Sequence, residues 1–133
     1  MKRNIKRLGS AEGDPLVRAY LATALWSAGE DDDGKLLDQE FDLSDFALEA
    51  VEDARKDVRR FLRDASDLLE PVAADDDQIM HDFSLTRNGH GAGFWDRPEL
   101  YGGDDNANAL TAIAKRFGET TVYVGDDGKL YFD

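Results

Sequence analysis

The longest run of helical periodicity in the chain lies between Asp42 and Pro71. Apolar side chains recur there at steps of three and four residues from Ala47 to Leu69, and charged side chains fill the opposite face. Asp42 or Ser44 offers a capping oxygen at the start, and Pro71 ends the helix because proline has no amide hydrogen to donate. An amphipathic helix of about seven turns predicts a core that is built against one of its faces.

Two shorter helices and two hairpins are predicted around this long helix. Residues 15–28 carry one apolar stripe with capping signals at both ends, and residues 106–117 carry a shorter one. The runs 81–97 and 120–132 each surround a glycine-containing turn, which is typical of a β-hairpin. We therefore expect an α+β fold in which three helices pack on one face of a small antiparallel sheet built from two β-hairpins.

Length and composition favour one soluble domain. The chain has 133 residues, which is the size of an ordinary single domain. Residues 1–13 lack periodicity and are rich in basic side chains, so we expect a flexible basic arm there and a single α+β domain over residues 14–133. No apolar run approaches the roughly 20 residues needed to span a bilayer, and the first residues lack the apolar core of a secretory signal. A cytoplasmic location is expected.

Two residue types limit the chemistry that the chain can support. Cysteine is absent, so disulfides and thiolate nucleophiles are excluded. The chain has only two histidines, so a structural metal site would need carboxylates as its remaining ligands. We therefore expect neither a cofactor nor a structural metal.

The charge of the chain is strongly negative. It has 29 acidic and 16 basic residues, for a formal net charge of −13, and four of the basic residues fall within residues 1–9. A body of this charge repels a phosphate backbone, so direct nucleic-acid binding by the folded domain is not expected. Three interpretations stay open: solubility or adaptation to salt, attraction to a basic partner, and imitation of a nucleic-acid surface.

The run from His81 to Arg97 combines more kinds of functional side chain than any other part of the chain. It holds both histidines, a tryptophan and three closely spaced glycines beside an Asn-Gly turn signal. We expect a glycine-tipped hairpin whose aromatic residues anchor the fold and whose exposed part consists of Arg87, Asn88 and His90. The candidate interaction or ligand-binding residues are His81, Arg87, Asn88, His90, Trp95 and Asp96.

Three kinds of chemistry are compatible with this run. A metal held by His81, His90 and Asp96 would support a small metal-dependent hydrolase or nucleic-acid-processing enzyme. A small anion could bind Arg87 and the glycine-rich backbone, and a patch of aromatic and polar side chains could bind another protein. The glycines match neither the dinucleotide nor the phosphate-loop pattern, and no serine stands in a nucleophile turn, so no catalytic residue is assigned.

An acidic run near Asp31 has the composition of a calcium-binding loop. Asp31, Asp33 and Glu40 fall at three ligand positions of such a loop, but its first position is Gly29, which has no side-chain oxygen. The sequence Asp-Asp-Gly-Lys-Leu from this run recurs at 126–130, where it turns a predicted hairpin. Both copies are therefore predicted to be solvated turns.

The run 81–97 also resembles a known signature. His81-Asp-Phe-x-Leu-Thr-Arg-Asn-Gly-His-Gly-Ala-Gly-Phe-Trp-Asp-Arg97 is similar to that of a family of small proteins carried by bacteriophages, prophages and plasmids. The resemblance extends to Ala24-Leu-Trp-Ser27 with its Asp-rich continuation and to Tyr123-Val-Gly-Asp-Asp-Gly128, while Ser84 replaces an expected aromatic residue. It implies a mobile-element setting, in which small acidic accessory proteins act on host machinery that includes restriction and CRISPR defences.

The sequence and the resemblance together favour a protein that acts by binding another protein. We expect an accessory protein of a phage or mobile element, directed at a host or phage protein and more specifically at a nucleic-acid-binding defence enzyme whose basic groove an acidic surface would occupy. The alternative is the metal-dependent enzyme built on His81, His90 and Asp96.

Overall fold

A computed structural model describes residues 14–133, which form a mixed helical and stranded fold. Within that part of the chain there are six helices and one two-stranded antiparallel sheet. The helices are α1 Pro15–Ser27, α2 Leu37–Glu40, α3 Leu48–Asp64, α4 Ser66–Leu69, α5 Asp76–Arg87 and α6 Asp104–Lys115. The strands are β1 Val122–Val124 and β2 Leu130–Phe132, and short 3₁₀ turns cover Leu43–Asp45 and Phe94–Asp96. The basic arm predicted for residues 1–13 lies outside the described residues.

Helix α1 forms where the sequence predicts it. The Asp14 carboxylate accepts hydrogen bonds from the backbone N–H groups of Leu16 and Val17, at 3.0 and 3.3 Å. Pro15 occupies the first position, where its missing N–H costs nothing. The apolar stripe of α1 is buried, and α1 packs along α5 at the centre of the molecule.

The long helix predicted between Asp42 and Pro71 is divided into shorter elements. Asp42 caps a 3₁₀ turn instead of the helix, and Phe46 stays extended because it forms a parallel bridge with Leu130. The backbone N–H of Ala47 donates to the Leu130 carbonyl at 2.9 Å, so α3 can begin only after this contact. A second break at Ala65 separates α3 from α4.

The hairpin predicted over residues 81–97 is wrong, because residues 81–87 belong to helix α5. Asp75 caps this helix through the backbone N–H of Gln78, at 2.9 Å, and acidic residues in its first turn suit the positive end of the helix dipole. The Asn-Gly pair ends the helix, with Gly89 at φ 64°, and does not turn a hairpin. The sheet of two hairpins is therefore not found among residues 14–133, where the sheet consists of β1 and β2 alone.

The C-terminal hairpin has the predicted position. Its register pairs Val122 with Phe132, Tyr123 with Tyr131 and Val124 with Leu130. Helix α6 also matches its prediction, although it starts slightly earlier than expected. The three predicted helices therefore exist as elements, but they pack mainly on one another rather than on one face of a sheet.

The core is held by stacked aromatic rings. Phe83 of α5 stacks on Phe61 of α3 with ring centroids 4.2 Å apart, and Phe94 stacks on Phe61 at 5.6 Å. Tyr101 meets the edge of Phe94 at 4.8 Å. The expected role of the aromatics as anchors thus applies to Phe94, whereas Trp95 beside it is 45% exposed. Within residues 14–133, no helix combines the length and the apolar character needed to cross a bilayer.

We predict that Gly93 is the glycine of this loop that tolerates substitution least. At Gly93, with φ 153°, an added Cβ would overlap the Thr86 hydroxyl, which accepts the Phe94 N–H. At Gly91, with φ 78°, a Cβ would meet open space. Gly93→Ala should therefore lower the free energy of unfolding by about 3 kcal/mol and Gly91→Ala by about 1 kcal/mol. Urea unfolding checks this, and equal losses would contradict it.

Candidate functional site

Arg87 does not belong to an exposed tip, because its guanidinium is buried at the centre of the fold. Its Nη1 donates to the Tyr20 hydroxyl at 3.0 Å and to Asp57 Oδ2 at 2.7 Å. Its Nε donates to the Gly118 carbonyl at 2.9 Å, and its Nη2 donates to the Phe117 carbonyl at 3.0 Å. Only 6% of the residue is exposed. The prediction of an exposed Arg87 is therefore wrong, and its guanidinium is not presented at the surface as a site for an anion.

The network around Arg87 is arranged for stability. Burial raises the pKa of Tyr20 to about 12, against the opposing effect of the Arg87 charge, so the phenol stays neutral at physiological pH. The guanidinium is then balanced by one carboxylate, Asp57, and by neutral oxygens. A buried cation whose donors are satisfied in this way fixes neighbouring elements.

A second buried polar group stabilises the other side of α5. The Asp82 side chain is fully buried and accepts hydrogen bonds from the Tyr101 hydroxyl, from Gln78 Nε2 at 2.9 Å and from Arg97 Nε at 3.4 Å. The 81–97 run alone gives no sign of this role, because the partner Tyr101 lies outside it. Both oxygens of Asp82 accept hydrogen bonds, so the carboxylate holds the 97–101 segment against α5.

Two further candidate residues have local structural roles. Asn88 donates through Nδ2 to the Ser84 carbonyl at 3.0 Å and accepts the Thr120 N–H at 2.7 Å, which joins the end of α5 to the chain before β1. Asp96 Oδ1 accepts the Gly93 N–H at 2.9 Å and closes the 3₁₀ turn. His90 and Trp95 are exposed on this loop. The exposed position expected for His90 is thus found, whereas Asn88 is half-buried.

His81 lies on the side of α5 that contacts α1. Its Nδ1 is 3.2 Å from Thr23 Oγ1, and Thr23 Oγ1 donates to the Ala19 carbonyl at 3.2 Å. The Thr23 hydroxyl and the His81 ring are within hydrogen-bonding distance, so this contact joins α5 to α1. The Trp26 ring covers the imidazole, with centroids 5.6 Å apart.

The predicted metal ligands do not form a site. His81 contacts α1, His90 lies on the loop after α5, and Asp96 closes the Phe94–Asp96 turn. Across residues 14–133, no group of three His, Asp or Glu side chains is arranged to hold a metal ion. The metal-dependent enzyme thus has no ligand set in this part of the chain.

The acidic turn after α1 has internal partners. Asp31 Oδ1 accepts the backbone N–H groups of Asp33 and Lys35, each at 2.9 Å. A hydrogen bond between the two carboxyl groups raises the pKa of Glu40 and lowers that of Asp31. Two of the three carboxylates with calcium-loop spacing therefore lie close together, and the turn itself is closed by the two hydrogen bonds that Asp31 accepts.

A groove of about 680 Å³ lies between α1 and the N-terminal half of α5. Its floor consists of the small residues Ala19 and Ala22, with Thr23 and His81 beside them. Leu43 lines one side, and Asp75, Asp77 and Gln78 line the other. Sequence reasoning missed this groove, although Arg18, Ala22 and Trp26 recur at helical spacing on the solvent face of α1.

Charge is distributed unevenly over the described surface. Twenty-two acidic and nine basic side chains are exposed among residues 14–133. Six of these bases lie on the C-terminal halves of α3 and α6 or immediately after α6, where cations offset the negative end of a helix dipole. They are Lys56, Arg59, Arg60, Arg63, Lys115 and Arg116. Arg18 is the sole base lining the described groove, so the groove side of the molecule is acidic.

No protein-family model, curated protein or solved structure matches the chain. The resemblance carried by the 81–97 run stays a prediction. The exposed features that are left for a functional interpretation are the groove, the acidic residues 30–45 and Trp26.

We predict that Arg87 is required for stability. Arg87→Met should lower the free energy of unfolding by about 3–5 kcal/mol, because it leaves Asp57 without its counter-ion and two carbonyls without donors. Arg59→Met removes an exposed guanidinium from α3 and should change the free energy of unfolding by about 0.5 kcal/mol or less. Urea unfolding of both variants at neutral pH tests this. A loss of about 1 kcal/mol or less in Arg87→Met would contradict it.

Proposed function

We propose that this protein is an accessory protein of a phage or mobile element that acts by binding a basic partner protein. The partner is a nucleic-acid-binding protein, such as a host defence enzyme, and the acidic surface occupies the place of the nucleic acid. The observation that carries the proposal is the excess of exposed carboxylates over exposed cations in residues 14–133. The resemblance of the 81–97 run supports the mobile-element setting.

Two acidic segments of the chain lie beside the groove. Residues 30–45 contain eight carboxylates and one base, Lys35, and Leu43 from this segment lines the groove. Asp75, Asp76 and Asp77 are exposed at the start of α5. A surface of one sign raises the association rate with a basic partner and disfavours acidic ones.

The burial of Arg87 supports binding over catalysis. Within the 81–97 run, the Arg87 guanidinium and the Asp82 carboxylate are both buried and hydrogen-bonded inside the fold. These two charged side chains hold neighbouring elements together. Their structural role explains why the 81–97 run has the mixed composition of an active site. Protein binding needs no such constellation, because shape and charge complementarity suffice.

The proposal predicts a salt-sensitive partner that nucleic acid displaces. The immobilised protein, exposed to nuclease-treated bacterial lysate, should retain nucleic-acid-binding proteins that elute as ionic strength rises, since screening weakens exposed charge pairs. Added DNA should compete with the immobilised protein for the retained partner. The partner should also bind less nucleic acid when it is in complex with this protein. Retention that neither salt nor DNA alters, or no retention at low salt, would contradict the proposal.

The repeated turn sequence provides a matched pair of charge variants. Asp32 and Asp126 are both exposed and are each the first aspartate of an Asp-Asp-Gly-Lys-Leu turn. Asp32 lies in the acidic segment beside α1, whereas Asp126 lies in the terminal hairpin. Asp32→Lys should weaken binding of the captured partner about tenfold, and Asp126→Lys by about twofold or less, as measured by calorimetry. An effect of equal size would indicate attraction by net charge alone.

A further inference from the structure

We propose, building on the protein-binding function above, that the groove between α1 and α5 is the docking site for a basic segment of the partner. An apolar side chain of that segment packs over Ala19 and Ala22, and its lysine or arginine side chains pair with Asp75 and Asp77 on the α5 side of the groove. The function proposed above requires only an acidic surface. This inference assigns the contact to one place on it.

The shape of the groove suits a segment of polypeptide. Ala19 and Ala22 give its floor no side chain beyond Cβ, so a partner chain can approach the α1 backbone closely. The groove has a volume of about 680 Å³ and is widely open to solvent. Leu43 adds an apolar contact on one side. An apolar side chain of the partner can therefore be buried against the exposed side of α1, and no side chain of this protein has to move to admit it.

The charge of the groove selects a basic occupant. Asp75 and Asp77 line it on the α5 side. Arg18 is the single Lys or Arg side chain among the lining residues. The two carboxylates can pair with cations beside an apolar anchor, whereas an acidic segment would meet repulsion from them.

An aromatic group stands beside the groove. Trp26 follows Ala22 by one helical turn and is 58% exposed, and its ring covers His81, which lines the groove. The hydrogen bond between Thr23 and His81 fixes the imidazole, which in turn supports the indole. A rigid exposed tryptophan is the residue type that contributes most at interfaces, and its face attracts lysine and arginine side chains.

Peptide binding tests the assignment with the full chain. The probe is a fluorescent peptide of about 14 residues, four helical turns, made of lysine, leucine and alanine with the leucines on one face. A scrambled peptide of the same composition is its control. The patterned peptide should bind more tightly than the scrambled one, and amide shifts in NMR spectra should cluster on α1, Leu43–Asp45 and the start of α5.

Three matched pairs of variants separate the groove from the rest of the surface. Each pair makes the same change at an exposed helical or turn position, once at the groove and once elsewhere. The pairs are Ala22→Arg with Ala112→Arg, Trp26→Ala with Trp95→Ala, and Asp77→Asn with Asp105→Asn. The groove member should weaken peptide binding about tenfold for Ala22→Arg and about threefold for the others. The control members should change it less than twofold, and circular dichroism should show all six variants folded.

The outcomes distinguish this inference from the function on which it rests. If both members of each pair weaken binding equally, or if the amide shifts lie outside the groove, the docking site is wrong while partner binding still stands. If the wild-type chain captures a basic partner whose affinity is unchanged by Ala22→Arg, the docking site is again wrong. If no basic protein is captured at all, the proposed function itself fails. A dimer that Ala22→Arg dissociates would assign the groove to a second copy and overturn the inference.

Discussion

The buried guanidinium of Arg87 is the interaction on which the arrangement of the helices depends. A cation removed from water must be paired and hydrogen-bonded, and the partners of Arg87 come from three different places: Tyr20 on α1, Asp57 on α3 and the carbonyls after α6. One side chain therefore sets the position of α5 relative to the other major helices. The groove is a product of this arrangement, since its floor belongs to α1 and its acidic side to α5.

A preformed groove and a one-signed surface contribute differently to recognition. Long-range attraction between an acidic protein and a basic partner speeds their encounter but specifies little about how they meet. In the proposed docking site, the small residues of α1 and the exposed Trp26 would specify register, because a groove formed by two packed helices needs little reordering on binding. This division would let one protein bind related partners that share a basic groove and still reject other basic surfaces.

The success of sequence reasoning depended on whether a local signal had one structural meaning. The Asp14-Pro15 start of α1 and the Asp-Gly turn of the terminal hairpin are unambiguous, and both elements are found. Asn88-Gly89 ends helices as readily as it turns hairpins, and the choice was decided by the Asp75 cap and by packing of α5 on α1. The site was harder to predict. Arg87 has the residue type of an exposed contact, and its burial depends on Asp57, which lies thirty positions earlier on another helix.

The contact between Phe46 and Leu130 also couples two distant parts of the chain. Ala47 has no side chain that can cap α3, and its amide is satisfied by a carbonyl close to the far end of the described chain. The start of α3 thus depends on a backbone contact between segments that are far apart in sequence, and forming such a contact costs loop-closure entropy. Local opening of β2 would therefore also release the amide at the start of α3, so the hairpin and the long helix are coupled although they pack as separate elements.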